Sequence, residues 1–101
     1  MTESQNYIKG MVLNEETRCT LADLCRFCGV HAEVIHNMVD EGLITPEGYS
    51  PREWRFTFVA VKRVQTAVRL HNDLRVNLPG CALVLDLLDE IEELRRFSRR
   101  G

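Results

Sequence analysis

Residues 19–46 read CTLADLCRFCGVHAEVIHNMVDEGLITP, and the fold turns on them. Thr20 is placed to cap a helix, because its hydroxyl can accept from an unbonded backbone N–H of the first turn. Asp23, three residues on, completes a capping box. Leu21, Leu24, Cys25 and Cys28 then fall on one helical face, and Gly29 supplies the positive φ that stops the helix. After a short turn, His31 to Asp40 is expected as a second helix, with Val34, Ile35, Met38 and Val39 as its apolar stripe and Gly42 at its close. Two short helices in this order form a helix-turn-helix.

Downstream, LITPEGYSPREWRF (residues 43–56) alternates loosely around Pro46, Gly48 and Pro51, which suits two short strands joined by a loop, a wing. Thr57 caps a third helix, Phe58 to about Leu74, with Val61, Val64 and Val68 spaced to meet a core. Asn77 caps a fourth, Pro79 to about Phe97, with proline in the first turn, where a missing N–H costs nothing. Leu83, Val84, Leu87, Leu88, Ile91 and Leu94 make one broad apolar face of that helix; Asp86, Asp89, Glu90 and Glu93 gather on another. The expected architecture is mainly α: a winged helix-turn-helix with about four helices and a short β wing over residues 17–97. It is preceded by a loose arm, residues 1–16, and followed by a basic tail, residues 98–101. Met11 to Leu13 or Thr17 to Cys19 is expected as a short strand.

The chain's 101 residues suit one domain, and its 45% hydrophobic and 28% charged residues suit a globular one. The longest apolar run, Cys81 to Leu85, falls far short of the roughly 20 residues that cross a bilayer. The opening MTESQNYIKG lacks the basic-then-apolar order of a secretory signal. A cytoplasmic location with no membrane partner is expected, and Cys19, Cys25, Cys28 and Cys81 as free thiols.

Candidate chemistry is sparse. Cys25 and Cys28, with Cys19, His31 or His36, have the residue types of a zinc site. Structural zinc pairs, however, sit on turns, and here both lie on the apolar face of a helix, where cysteine packs as a small hydrophobe. No serine, threonine or cysteine has an activating partner, the histidines (His31, His36, His71) fall on helices, and no glycine-rich phosphate loop is present. Neither an enzyme nor a cofactor is expected.

The helix-turn-helix raises the question of nucleic acid. Between Thr20 and Phe56 stand three arginines (Arg26, Arg52, Arg55) against six acids (Asp23, Glu33, Asp40, Glu41, Glu47, Glu53), and the net charge of the chain is −2. Groove reading needs cations for phosphates and donors for base edges. The second helix offers Asn37 and two histidines but neither lysine nor arginine, and Glu33, Asp40 and Glu41 would face phosphate. The motif is kept while its electrostatics point to a protein. Trp54 and Arg55 are residue types common as interface anchors, and the row Asp86, Asp89, Glu90 and Glu93 suits a basic surface.

The stretch EWRFTFVAVKRVQTAVRLHNDLRVNLPGCALVLDLLDEIEELRR, residues 53–96, carries W-x-F after the wing (Trp54, Phe56). It continues with R-V-x-x-A-x-R-L-x-x-D-L (Arg63, Val64, Ala67, Arg69, Leu70, Asp73, Leu74), N-x-P-G (Asn77, Pro79, Gly80) and an apolar helix ending in acids and arginines. With the helix pair before it, this resembles the CbpM chaperone-modulator family, a relative of the MerR-type winged helix-turn-helix proteins. The resemblance implies an adaptor that binds the J-domain of a CbpA/DnaJ-like co-chaperone and inhibits its co-chaperone and DNA-binding activities. J-domains of that type present a basic helix, which an acidic surface would complement. The expected partner-binding residues are therefore Trp54, Arg55, Asp86, Asp89, Glu90 and Glu93. The alternative is a MerR-type DNA-binding transcriptional regulator, resting on the architecture, Arg55 and the basic Arg95, Arg96, Arg99 and Arg100. A third alternative is a plain homodimerising scaffold through the leucine-rich fourth helix, whose Leu83, Leu87, Ile91 and Leu94 can pack against the third helix or against a second copy.

Overall fold

The computed structural model describes residues 7–8, 11–12 and 16–100. Two short strands, β1 (Tyr7–Ile8) and β2 (Met11–Val12), pair antiparallel with Tyr7 opposite Val12. The remainder of the expected arm up to residue 15, Leu13 included, and the last tail residue, Gly101, lie outside the described residues.

From β3 (Arg18–Cys19) the chain enters α1 (Leu21–Cys28) through the reciprocal cap expected from sequence. Thr20 Oγ1 accepts from the Asp23 N–H at 3.1 Å, and Asp23 Oδ2 accepts from the Thr20 N–H at 3.2 Å. That backbone donor, ahead of a weaker contribution from Arg26, holds the Asp23 carboxyl below the usual carboxylate range. Gly29 ends α1 at φ 69°. Helix α2 (Ala32–Asp40) starts one residue later than expected, with His31 as an extended N-cap, and closes at Gly42, φ 80°, where the Leu43 N–H reaches back to Met38 O.

The wing is thinner than two paired strands. Glu47 and Arg55 form a single antiparallel bridge, and a 3-10 turn, Pro51–Glu53, carries the chain between them. At Gly48, φ 109°, a β-carbon would lie 2.6 Å from the Glu53 carbonyl oxygen, so glycine is what lets the turn close. Strand β4 (Phe56–Thr57) pairs not within the wing but with β3, Cys19 opposite Phe56. The wing is thus pinned to the front of the domain.

Helices α3 (Phe58–Leu74) and α4 (Leu78–Arg100) complete the molecule. Thr57 Oγ1 caps α3 at the Ala60 N–H, and Asn77 Oδ1 caps α4 by accepting from the Gly80 N–H at 2.8 Å. Helix α4 runs past the expected end at Phe97 to Arg100, so the basic segment from Ser98 to Arg100 is helical rather than a tail. Leu24, Ile35, Met38, Leu43, Ile44, Phe56, Val61 and Val64 are buried together, with Cys19 closing the core from β3 and Cys81 and Leu85 from α4.

Between α3 and α4, Arg75 adopts φ 58°, the left-handed region that costs a side chain roughly 1 kcal/mol relative to glycine. It is held there because its own N–H donates to His71 O while the Val76 N–H reaches Leu70 O. Replacing Arg75 with glycine is expected to stabilise the domain by about 0.5–1 kcal/mol, read as a higher urea midpoint at unchanged slope; an unchanged or lower midpoint would count against strain at this position.

Candidate functional site

Trp54 and Arg55 follow the 3-10 turn, and the two point to different uses. The Trp54 ring is half-buried, 4.9 Å from the His36 ring at 43° and 5.9 Å from Phe56 in an edge-to-face arrangement at 81°. It locks the wing against α2 and leaves its outer edge accessible. Arg55 is exposed; its backbone exchanges two 2.9 Å hydrogen bonds with Glu47, and its Nη1 donates to Trp54 O at 2.8 Å.

The acidic row on α4 is divided. Arg63 of α3 donates Nη1 to Asp89 Oδ2 at 2.7 Å and Nη2 to Asp86 Oδ1 at 3.3 Å, while its Nε donates to Leu43 O. Its side chain is 15% exposed, whereas Asp86 and Asp89 are 72% and 73% exposed. Glu90 and Glu93 are exposed, and among the described residues no ion pair engages them; the same holds for Glu92. Of the six residues expected at a partner surface, the structure brings Asp86 and Asp89 together on Arg63 and sets Trp54 and Arg55 on the wing. Arg63, missed in the sequence, is the residue that organises the row. Its signal was an arginine directly before the core-facing Val64.

The apolar face of α4 divides likewise. Cys81 and Leu85 are buried, with Leu78 and Ala82 packed beside them. Leu83, Leu87, Leu88, Ile91, Leu94 and Phe97 are exposed, and from Asp86 to Arg99 every residue is exposed. The outer half of this amphipathic helix therefore leaves its apolar stripe open to solvent.

Helix α2 turns Glu33, Asn37 and Asp40 to solvent, and its C-cap Glu41 is exposed as well, so three acids stand on this side. The thiols are free and packed inward. Burial first, then neighbouring Cys19 and Cys25, push the Cys28 thiol up to about 12, and burial raises Cys19, Cys25 and Cys81 as well. Such thiols are poor nucleophiles. Among the described residues no three His, Cys, Asp or Glu side chains are placed to hold a metal, and no helix is long and apolar enough to cross a membrane. A cleft of about 450 Å³ opens between α2, α3 and the start of α4, lined by Val34, Met38, Val68 and Leu78 with Asn37 and His71 at its side.

Comparison with known proteins adds a common thread. The sequence signature of the family described as MerR HTH family regulatory protein matches residues 19–100. Two relatives, from Coxiella burnetii strains Dugway 5J108-111 and RSA 331, each bear the name chaperone modulatory protein CbpM. Both are 38% identical over 96 residues, which is 95% of this chain and 91% of theirs. A relative of the same name from Pseudomonas entomophila strain L48 is 38% identical over 72 residues, 71% of each chain.

Proposed function

We propose, for a chain that belongs to the MerR helix-turn-helix regulatory family and to the CbpM family of chaperone modulatory proteins, the role of a non-enzymatic adaptor that binds the J-domain of a CbpA/DnaJ-like co-chaperone. By covering the basic helix that the J-domain offers to its Hsp70, it inhibits the co-chaperone and, with it, that protein's DNA binding. The observation that carries this reading is the exposed half of α4, where Glu90 and Glu93, without an ion-pair partner among the described residues, lie beside an uncovered apolar stripe. Carboxylates beside apolar contact area suit a cationic helix: the charges speed and orient encounter, and the stripe supplies the burial.

The electrostatics of the former recognition helix support the same direction. Glu33 and Asp40 of α2 and its C-cap Glu41 are exposed, and one Arg55 guanidinium nitrogen is occupied by the Trp54 carbonyl. A DNA duplex would meet repulsion there. The apolar stripe also suits a second copy of the chain, which would compete with the J-domain for the same side chains.

Calorimetric titration against an isolated J-domain tests the role, with light scattering on the same sample reporting the mass of one chain or two. Saturable binding is expected at or below about 10 μM, the range of a regulated, reversible interface. No heat at several times that concentration would overturn the reading.

A further inference from the structure

We propose that Arg63 is a positioning residue for partner binding: its three-way clasp fixes the direction in which the exposed half of α4 leaves the domain. The binding arm of this proposal rests on the function proposed above; the geometric arm does not.

Among the described residues Leu85 is the last buried one of α4. Beyond it, among the described residues, the hydrogen bonds and ion pairs that tie α4 to the rest of the domain are those from Arg63 to Asp86 and Asp89. The two acids stand three residues apart, on successive turns of one helical face, so attachment at both points restrains the helix in tilt and in rotation about its own axis. A guanidinium can do this because its planar fork offers separate donors to separate carboxylates; a lysine ammonium is a single point. The third donor, Nε, holds the carbonyl of Leu43, the residue at which α2 gives way to the wing. The same side chain therefore registers α4 against the segment that leads to Trp54 and Arg55.

That junction is not sealed. A cleft of about 380 Å³ lies there, bordered by Leu43, Thr57, Val59, Arg63 and Asp86. With open space on one side, packing alone leaves the exit direction loosely defined, and the clasp supplies the missing constraint. Glu90 and Glu93, one and two turns further along, inherit their position from it.

Trp54, the single tryptophan, allows a direct test. Energy transfer from Trp54 to a dansyl amino acid placed at position 97 reports the direction of α4 in the full chain. Arg63→Gln and the double variant Asp86→Asn/Asp89→Asn are each expected to broaden and shift the donor lifetimes to a similar extent, with helical content by circular dichroism unchanged. Arg63→Lys should recover little. J-domain affinity should fall by about fivefold or more in each, and no further when all three substitutions are combined, as residues acting through one clasp behave in a double-mutant cycle. Unchanged lifetimes in Asp86→Asn/Asp89→Asn, whose exposed sites leave folding intact, would overturn the proposal, whatever Arg63→Gln does. Affinity losses that multiply in the combined variant would overturn it too, since the acids would then touch the partner themselves. A wild-type chain that fails to bind the J-domain removes the functional reading, and the lifetimes alone then decide the clasp.

Discussion

Truncation of Phe56 to alanine is expected to cost about 3–5 kcal/mol, the range for emptying a fully buried aromatic site. Phe56 has no exposed surface, pairs through its backbone with Cys19, and presents its ring edge-on to Trp54. It is therefore the residue through which β3, the wing and α3 share one core. A domain of this size has only about 5–15 kcal/mol in hand, so the variant should populate unfolded chains measurably at 37 °C. Urea denaturation followed by the fluorescence of Trp54 reads the loss, and the native-state emission should itself change because the ring loses a neighbour. A cost under about 1 kcal/mol would mean that the site collapses around the smaller side chain and that Phe56 is not the keystone the packing indicates.

Reversing Glu90 and Glu93 together to lysine is the second large effect. Exposed charge pairs contribute up to about 1 kcal/mol each, and reversal replaces attraction by repulsion at two places. J-domain affinity should fall on the order of 30-fold at low ionic strength, with most of the difference gone at high salt, where such charges are screened. These two positions are preferable to Asp86, because a lysine at position 86 also confronts Arg63 and would confound a lost partner contact with a broken clasp. Helical content should not change. Equal affinity for variant and parent at low salt would place the interface away from α4.

Much of this fold was legible because caps are local chemistry. Thr20 with Asp23, Gly29, Thr57 and Asn77 each marked a boundary that the structure keeps. The end of α4 was misplaced at Phe97 because arginines read as a tail. Nothing in FSRR breaks a helix, and cations at a C-terminus favour its dipole, so the helix continues to Arg100. The partner of β4 was illegible for a different reason: alternation shows a strand but not what it pairs with, and β3 lies at the far end of the helix-turn-helix.

The candidate site was legible in kind and not in arrangement. Periodicity drew the leucine stripe on α4 correctly, yet could not tell a face turned to the core from one turned to water; Cys81 and Leu85 fill the inward positions instead. The acidic row looked uniform in sequence. Only the packing of α4 on α3, which brings residues 23 and 26 positions apart within reach of one guanidinium, separates Asp86 and Asp89 from Glu90 and Glu93. An ion pair across that distance leaves no periodic mark.

The uncovered stripe of Leu87, Leu88, Ile91 and Leu94 makes the folded chain sensitive to how much of it is present. Any species that sheathes those side chains binds the folded form and not the unfolded one, so mass action couples melting temperature to abundance. A sheathing species at a hundredfold its dissociation constant adds about 2.7 kcal/mol. The cell's stock of this small protein would then track the supply of whatever meets that helix, with solitary copies the first to be cleared.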